Sequence, residues 1–270
     1  MPLKDVLVHL DHSERSQERL GLAVDLARRH KAGLVGVFAE RGKAHTVGVV
    51  STWPSNAYRE AAAASRESFE QATAGLTGAA WRDGDRGSDV EVMQVTSEIA
   101  HCFDLVVLGQ DTGTVQVPVP NGMAEQVILN SGRPGLVVPS AGHFKTVGRR
   151  PVIAWNNSRE SARALHDAIP LIAGCEEALV VTFTDQSEKE HESVKDCLCH
   201  LANHGIPARA ECVLVDQVGV MDMLLNAVAN NGADLLVMGA HAHYGFPYLH
   251  RGSGTSFILA HATVPVLMAN

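Results

Sequence analysis

Residues 234–270 read DLLVMGAHAHYGFPYLHRGSGTSFILAHATVPVLMAN. An apolar run at 235–238 stops at Gly239, and a loop leads to the turn 252–255 before the next apolar segment. A continuous run of Leu, Val and Met predicts a strand that is buried on both faces, as in a parallel sheet. A glycine at the end of such a strand, followed by a small-residue turn that opens a helix, commonly holds phosphate groups. The amide groups and the dipole at a helix start both favour an anion there.

The chain contains this layout twice. The apolar run 104–108 ends at Gly109, and Gly122 opens a helix; both glycines lie 130 positions before their counterparts, Gly239 and Gly252. A repeat of this length predicts two similar domains.

The beginnings of the two halves also correspond. A strand at 6–10 leads to Asp11 and a strand at 152–155 leads to Asn156, and each polar turn has a serine that can cap the following helix. These two positions are 145 apart, whereas the corresponding glycines are 130 apart. The first half therefore has 15 extra residues, which we place in 41–56.

The remaining segments alternate between strand and helix patterns. The predicted elements are second strands at 33–38 and 178–183, helices at 57–75 and 189–204, third strands at 90–95 and 210–215, and last strands at 134–138 and 264–268. This alternation predicts right-handed crossovers, and hence an α/β protein with two tandem doubly wound parallel-sheet domains in flavodoxin-like layers. We place the domains at 1–140 and 151–270, with a linker at 141–150. Ligands are expected at the carboxyl ends of the first and fourth strands.

Composition narrows the function classes. The chain has 270 residues, of which 46% are hydrophobic, and it has no run of 18 apolar residues, so no membrane span is expected. No signal peptide is evident, and five cysteines suit reduced thiols, so we expect a cytoplasmic protein. A net charge of −8 argues against a nucleic-acid partner.

With these features the chain resembles the universal stress protein family, in a tandem two-domain form and over nearly its whole length. ATP-binding members of that family carry the pattern G-2x-G-9x-G-[S/T] after the fourth strand and an aspartate after the first. The second half keeps the spacing from Gly239 to Gly252-Ser253, with Ala242 at the second glycine and Asn156 at the aspartate.

The first half departs further from the family pattern. It keeps Asp11, but Thr112 stands at the second glycine and Met123 at the hydroxyl position. Met123 has no hydroxyl to donate, and Pro118 and Pro120 remove two amides from the loop. We therefore expect a degenerate phosphate loop in the first half, although Asp11 leaves nucleotide binding there open.

The resemblance implies adenine nucleotide alpha hydrolase-like domains that pair as an intramolecular pseudo-dimer through their last strands. Association of whole chains into a homodimer stays open. The ligand it implies is an adenine nucleotide, ATP with or without Mg²⁺, in the second half. The predicted site residues are Asn156, Val181, Phe183, Gly239, His241, Ala242, Gly252, Ser253, Gly254 and Thr255.

The same residues also have possible structural roles that need no ligand. The turn 252–255 would also serve as a plain helix cap, and Asn156 would also serve in a helix cap with Ser158. The alternatives for His241, His243 and His250 are, in order of preference, a solvated loop, contacts with phosphate oxygens, and a metal ion, and no metal ligand is assigned.

Three functions follow from the pattern. The first is a stress-response or signalling protein that binds ATP without catalysis. The second is an interaction scaffold that has lost the nucleotide. The third, an ATP hydrolase or kinase-like enzyme, is disfavoured because no Asp or Glu lies between Gly239 and Asn270 and no catalytic motif is present, so we expect slow ATP hydrolysis at most.

Overall fold

The computed structural model describes residues 2–42, 45–47, 50–111, 118–184, 192–215, 219–241 and 253–270. The chain divides into two compact units, Pro2–Lys145 and Thr146–Asn270. No helix in these described ranges is long and apolar enough to cross a membrane.

The first unit is a five-stranded parallel sheet with helices in the crossovers. Its elements are β1 (Asp5–Leu10), α1 (Arg15–His30), β2 (Gly33–Phe38), β3 (His45–Val47), β4 (Val50–Thr52), α2 (Asn56–Ala72), β5 (Ala79–Asp83), α3 (Asp89–Ala100), β6 (Leu105–Gly109), α4 (Met123–Ser131) and β7 (Gly135–Val138). The strand order is β7-β6-β1-β2-β5, and β3 and β4 form a separate antiparallel pair. The central strands β1 and β6 are buried on both faces, as their apolar runs predict.

The second unit repeats that topology. Its elements are β8 (Pro151–Ala154), α5 (Arg159–Ile172), β9 (Ala178–Thr184), α6 (Glu192–Asn203), β10 (Ala208–Leu214), α7 (Val220–Asn230), β11 (Leu235–Gly239), α8 (Ser253–His261) and β12 (Val266–Ala269). The order is β10-β9-β8-β11-β12, so in both units the first strand lies between the second and the fourth. The predicted duplication and doubly wound α/β class are confirmed. The pseudo-dimer stays a prediction.

The prediction of a third strand at 90–95 is wrong. These residues lie in α3, whose N-cap Ser88 accepts a hydrogen bond from the Glu91 amide at 3.3 Å and donates its hydroxyl to the Glu91 carboxylate. The alternating valines imitate a strand, but Ser88 and Glu91 have the spacing of a capping box. The third strand is β5, a half-exposed edge strand that has no apolar alternation to reveal it.

Strand registers locate the extra residues of the first unit. Leu34 and Leu179 are 145 positions apart, whereas their sheet partners, Ala79 and Arg209, are 130 apart. The surplus therefore lies between β2 and β5, in the segment that contains β3 and β4.

Candidate functional site

In the second unit, Asn156 lies in the turn after β8. Its Oδ1 accepts hydrogen bonds from the Ser158 amide at 3.2 Å and from the Ser158 hydroxyl at 2.7 Å. Ser158 caps α5 in a capping box with Ser161. The carbonyl oxygen of Asn156 therefore takes part in the helix cap that was its alternative predicted role.

Gly239 ends β11 where the first turn of α5 passes close to it. A Cβ atom at this position would lie 2.6 Å from the carbonyl carbon of Glu160 and 2.7 Å from the amide nitrogen of Ser161. Because those contacts are with backbone, any larger residue would displace the helix. Close packing of α5 is sufficient to require this glycine.

Glu160 is a site residue that sequence reasoning missed. Its side chain is only 4% exposed and lies 3.2 Å from the guanidinium of Arg159. The helix thus brings an acidic residue to the end of β11, although the segment after Gly239 contains none. An alignment of the two halves could have identified Glu160. The equivalent position, 145 residues earlier, is Arg15, so the charge at this position is reversed between the units.

His241, the second residue after β11, is hydrogen-bonded to the start of α8. The His241 amide donates to the hydroxyl of Thr255 at 2.9 Å, and Thr255 is 4% exposed. His241 has a positive φ of 53°, which turns the chain away from the strand. Gly254 and Thr255 lie in the first turn of α8.

The other predicted site residues divide into two groups. Val181 and Phe183 lie on β9 and are buried, with the Val181 carbonyl accepting from the Trp155 amide at 2.8 Å. Ser253 begins α8. Ala242, Gly252, His243 and His250 lie outside the described residues. The structure therefore places Asn156, Gly239, His241 and Thr255 at the carboxyl ends of the neighbouring strands β8 and β11.

In the first unit a buried ion pair occupies the corresponding position. Asp11 accepts a hydrogen bond from Arg19, and their side chains are 0% and 5% exposed. Arg19 also donates through Nε to the His9 carbonyl at 3.1 Å. Burial raises the pKa of Asp11, but the charge of Arg19, together with His9 and the hydrogen bonds from Ser13, outweighs burial and holds this pKa below its usual value. A Cβ at Gly109 would lie 2.6 Å from Arg19 Nη1, so the glycine makes room for the guanidinium.

A carboxylate of the chain itself lies at the start of α4. The Gly122 amide donates to Asp111 at 2.6 Å, and Gly122, the N-cap, has a φ of 74°. Met123, the first residue of the helix, is buried. Because Asp111 already binds the helix amide, a phosphate would meet a negative charge there.

Two further ionisable groups lie beneath this edge. His9 donates through Nε2 to the Ala39 carbonyl at 2.6 Å, and complete burial, with Arg19 nearby, lowers its pKa to about 4. Glu40 accepts from the His12 amide and ring at 2.9 and 2.8 Å, and burial raises its pKa. His9 is therefore neutral at pH 7.

Residues 177–270 match the family model described as the universal stress protein family. A universal stress protein from Archaeoglobus fulgidus DSM 4304 shares 15% identity with a TM-score of 0.70, and the match covers 98% of this chain and 96% of that one. A functionally unknown protein from Pseudomonas aeruginosa PAO1 gives 15% identity and a TM-score of 0.60 over 99% and 92% of the two chains.

A universal stress protein solved in complex with cAMP is 19% identical; the match covers 52% of this chain and 100% of that one, with a TM-score of 0.37. No curated protein matches the chain. The family resemblance stated from the sequence is confirmed, with the family match in the second unit and the family's fold along the whole chain.

Proposed function

We propose that this chain, a universal stress protein in the two-unit form, binds one adenine nucleotide, ATP, in its second unit without turning it over, and so acts in stress response or signalling. One contrast carries the proposal. In the first unit Asp111 caps the helix that would face phosphate, whereas the second unit has no acidic residue from 240 to 270. The second unit also keeps the family spacing of Gly239 and Gly252-Ser253.

Phosphate groups would bind at the start of α8. This helix begins at Ser253, and its first-turn amides and dipole favour an anion. The hydrogen bond from the His241 amide to the Thr255 hydroxyl fixes the end of β11 against that turn before any ligand arrives. Preordering of this kind lowers the entropy lost on binding.

The base and ribose would lie toward β8 and β9. Asn156 follows β8, and its amide suits hydrogen bonds to a purine edge or a ribose hydroxyl. Phe183, near the end of β9, offers an aromatic side chain that is 7% exposed. If ATP arrives with Mg²⁺, Glu160 is an oxygen ligand of the kind that this ion prefers.

The same site argues for binding rather than hydrolysis. Hydrolysis requires a group that positions the attacking water in addition to a metal ligand. Glu160 lies against Arg159, and the segment 240–270 supplies no second acid. We expect phosphate release close to background.

A nucleotide-free scaffold is the second candidate function. Two observations favour it, because Asn156 and Gly239 each have a structural role without any ligand. Asn156 supports the α5 cap, and Gly239 admits the first turn of α5. Ala242 in place of the family glycine points the same way.

Titration calorimetry of the full chain with ATP, together with native mass spectrometry of the purified protein, separates the two candidates. We expect one nucleotide per chain and loss of binding in Gly252→Val. Thr255→Val keeps the side-chain shape but removes the acceptor for the His241 amide, and should weaken binding about 2- to 10-fold. Thr96→Val is its matched control, since Thr96 is also buried and donates its hydroxyl to the Val92 carbonyl within α3.

An empty protein that gives no heat with millimolar ATP would overturn the proposal in favour of the scaffold. Undiminished binding in Gly252→Val would show that the nucleotide binds elsewhere. Equal losses in Thr255→Val and Thr96→Val would mean that the effect is one of general stability.

A further inference from the structure

Two histidines lie one helical turn apart at the C-terminal end of α6. His200 is in the last turn and half-buried, and His204 is the first residue beyond the helix and exposed. Their ring centroids are 4.7 Å apart, with the ring planes at 66°. Residues four apart lie on the same face of a helix, and two histidines with this spacing hold zinc in helical metal sites. The pair therefore has the spacing of a chelate.

The separation of the two rings fits a shared metal ion. A transition-metal ion bonds to an imidazole nitrogen at about 2.0–2.1 Å. Two imidazoles that bind one ion at a right angle or a tetrahedral angle then have their centroids about 4.5–5.2 Å apart. The observed separation of 4.7 Å lies within this range, so the two side chains are already at the distance that a common ion requires.

The end of the helix holds this pair in place. The His204 amide donates to the His200 carbonyl at 3.3 Å and to the Leu201 carbonyl at 3.0 Å. Gly205 follows with a φ of 70°, the left-handed conformation that commonly ends a helix. The Ile206 amide then donates to the Leu201 carbonyl at 3.0 Å, and both of these side chains are buried. These contacts keep His204 at helical spacing from His200.

The electrostatics of this helix end favour a bound cation. The last carbonyls of a helix carry a partial negative charge, which attracts a positive ion. Burial, followed by the charges of His204 and His166, lowers the pKa of His200 below its usual value, so this imidazole is neutral at pH 7. The neutral form is the one that binds a metal ion, so no proton has to leave His200 on binding.

The cysteines of α6 do not join this pair. Cys197 is buried, and burial raises the pKa of its thiol to about 12, whereas a metal ion requires the thiolate. Cys199 is exposed, but adjacent residues of a helix point about 100° apart, so its thiol is directed away from His200. Among the residues that the structure describes, no group of three or more His, Cys, Asp or Glu side chains could hold a metal ion. The chain therefore supplies two ligands, and water supplies the others.

We propose that His200 and His204 bind one divalent transition-metal ion of the class that prefers imidazole, such as Ni²⁺, Cu²⁺ or Zn²⁺. Each histidine supplies one ring nitrogen. Because α6 leads from the carboxyl end of β9 to the amino end of the parallel strand β10, its last turn lies at the edge of the sheet opposite to the proposed nucleotide site. The ion is therefore independent of the nucleotide, and it stabilises the folded second unit because it binds only where α6 is formed.

Titration calorimetry of the full-length protein with Ni²⁺ tests the proposal. Nucleotide is left out, because its phosphate oxygens also bind divalent ions. We expect saturable binding that an excess of Mg²⁺ leaves unchanged, since Mg²⁺ prefers oxygen ligands. His200→Gln and His204→Gln should each weaken Ni²⁺ binding about tenfold or more. The matched controls His166→Gln, Cys199→Ser and His243→Gln should each stay within about twofold of the wild type.

A relocated histidine tests the geometry while the number of histidines stays constant. His204→Gln combined with Ala202→His places the second imidazole two residues from His200, about 200° around the helix, and should not restore binding. Circular dichroism checks that each variant keeps its helix content.

Binding that persists in both single histidine variants, or that returns in the relocated variant, would overturn the proposal. A loss in His243→Gln would place the ion in the segment 242–252, and a loss in His166→Gln would mean a site of three histidines; either result contradicts the assignment to the pair. Absence of Ni²⁺ binding to the wild type refutes only this inference, because the nucleotide is proposed at the other edge of the sheet.

Discussion

Replacement of Arg19 by leucine tests whether the buried ion pair organises the first unit. In the wild type Asp11 accepts from Arg19 and from the Ser13 amide at 2.6 Å, and its side chain is fully buried. Arg19→Leu keeps most of the side-chain volume but leaves a buried carboxylate without its counter-charge. Removal of one partner from a buried pair typically costs about 3–5 kcal/mol, so we expect this loss in the free energy of unfolding at pH 7.

The pH dependence of that loss has a definite sign. In the wild type the pKa of Asp11 lies below its usual value, so the pair stabilises the fold above the unfolded pKa and is lost as pH falls through the folded pKa. Without Arg19 burial dominates, and the pKa of Asp11 rises above its unfolded value. The penalty in Arg19→Leu is then largest at pH 7 and shrinks as the pH falls and Asp11 becomes protonated.

Urea unfolding followed by tryptophan fluorescence measures the effect in the correct unit. Trp53 and Trp81 lie in the first unit and Trp155 in the second, so a Trp155→Phe background reports the first unit alone. The control is the double variant Asp11→Asn with Arg19→Leu, which removes both charges and should recover most of the lost stability. A loss below about 1 kcal/mol, or one that grows toward acid pH, would refute the reasoning.

Three further expectations follow from the same contacts. Gly239→Ala should destabilise the second unit by about 1–3 kcal/mol, because the added carbon meets the backbone of α5; unchanged urea unfolding would contradict this. Because the pKa of His9 is lowered to about 4, the wild type should lose about 3 kcal/mol between pH 6.5 and pH 4 that His9→Gln does not lose, and parallel pH profiles would exclude this cause. Asp111→Ala removes the carboxylate bound to the Gly122 amide and should cost about 0.5–2 kcal/mol, with Asp111→Asn intermediate; calorimetric melting distinguishes the three proteins.

The fold was predictable wherever burial produced an apolar run. Central strands such as β6 and β11 are buried on both faces, so their sequences contain little except Leu, Val and Met. Edge strand β5 is half exposed, and its sequence, AAWRD, has no pattern of that kind. The error at 90–95 arose because valines at alternate positions outweighed the cap formed by Ser88 and Glu91.

The candidate site was predictable only where its residues are close in sequence. The glycine spacing identified Gly239 and the start of α8, but not Glu160, which α5 brings to the end of β11. Likewise the partner of Asp11 is Arg19, which lies eight residues later in the second turn of α1, and nothing local to the loop signals it. Contacts across a sheet edge depend on topology, so a motif read along the chain misses them.

The repeat gives Asn156 an explanation other than loss of function. Asp11 and Asn156 occupy the same turn, since each accepts a hydrogen bond from the amide of a serine two residues later. The position of Arg19 in the second unit is Ala164, which is buried and uncharged. A buried aspartate without a counter-charge would be costly at Asn156, whereas an amide keeps the turn at little cost.

The charged residues of the first unit are therefore replaced together, rather than one at a time, at the equivalent positions of the second unit. The first unit combines Asp11 with Arg19 and caps α4 with Asp111, while the second unit has neutral residues at the first two positions and His241 at the third. Each set is internally consistent. In the first unit Asp11 pairs with Arg19, and Asp111 accepts a hydrogen bond at the start of α4, so both negative charges have partners in the chain itself. That consistency predicts that the single change Asn156→Asp lowers stability, and that Asn156→Asp combined with Ala164→Arg recovers part of it. Urea unfolding of the two variants provides the measurement, and an equally stable single variant would show that the two positions are uncoupled.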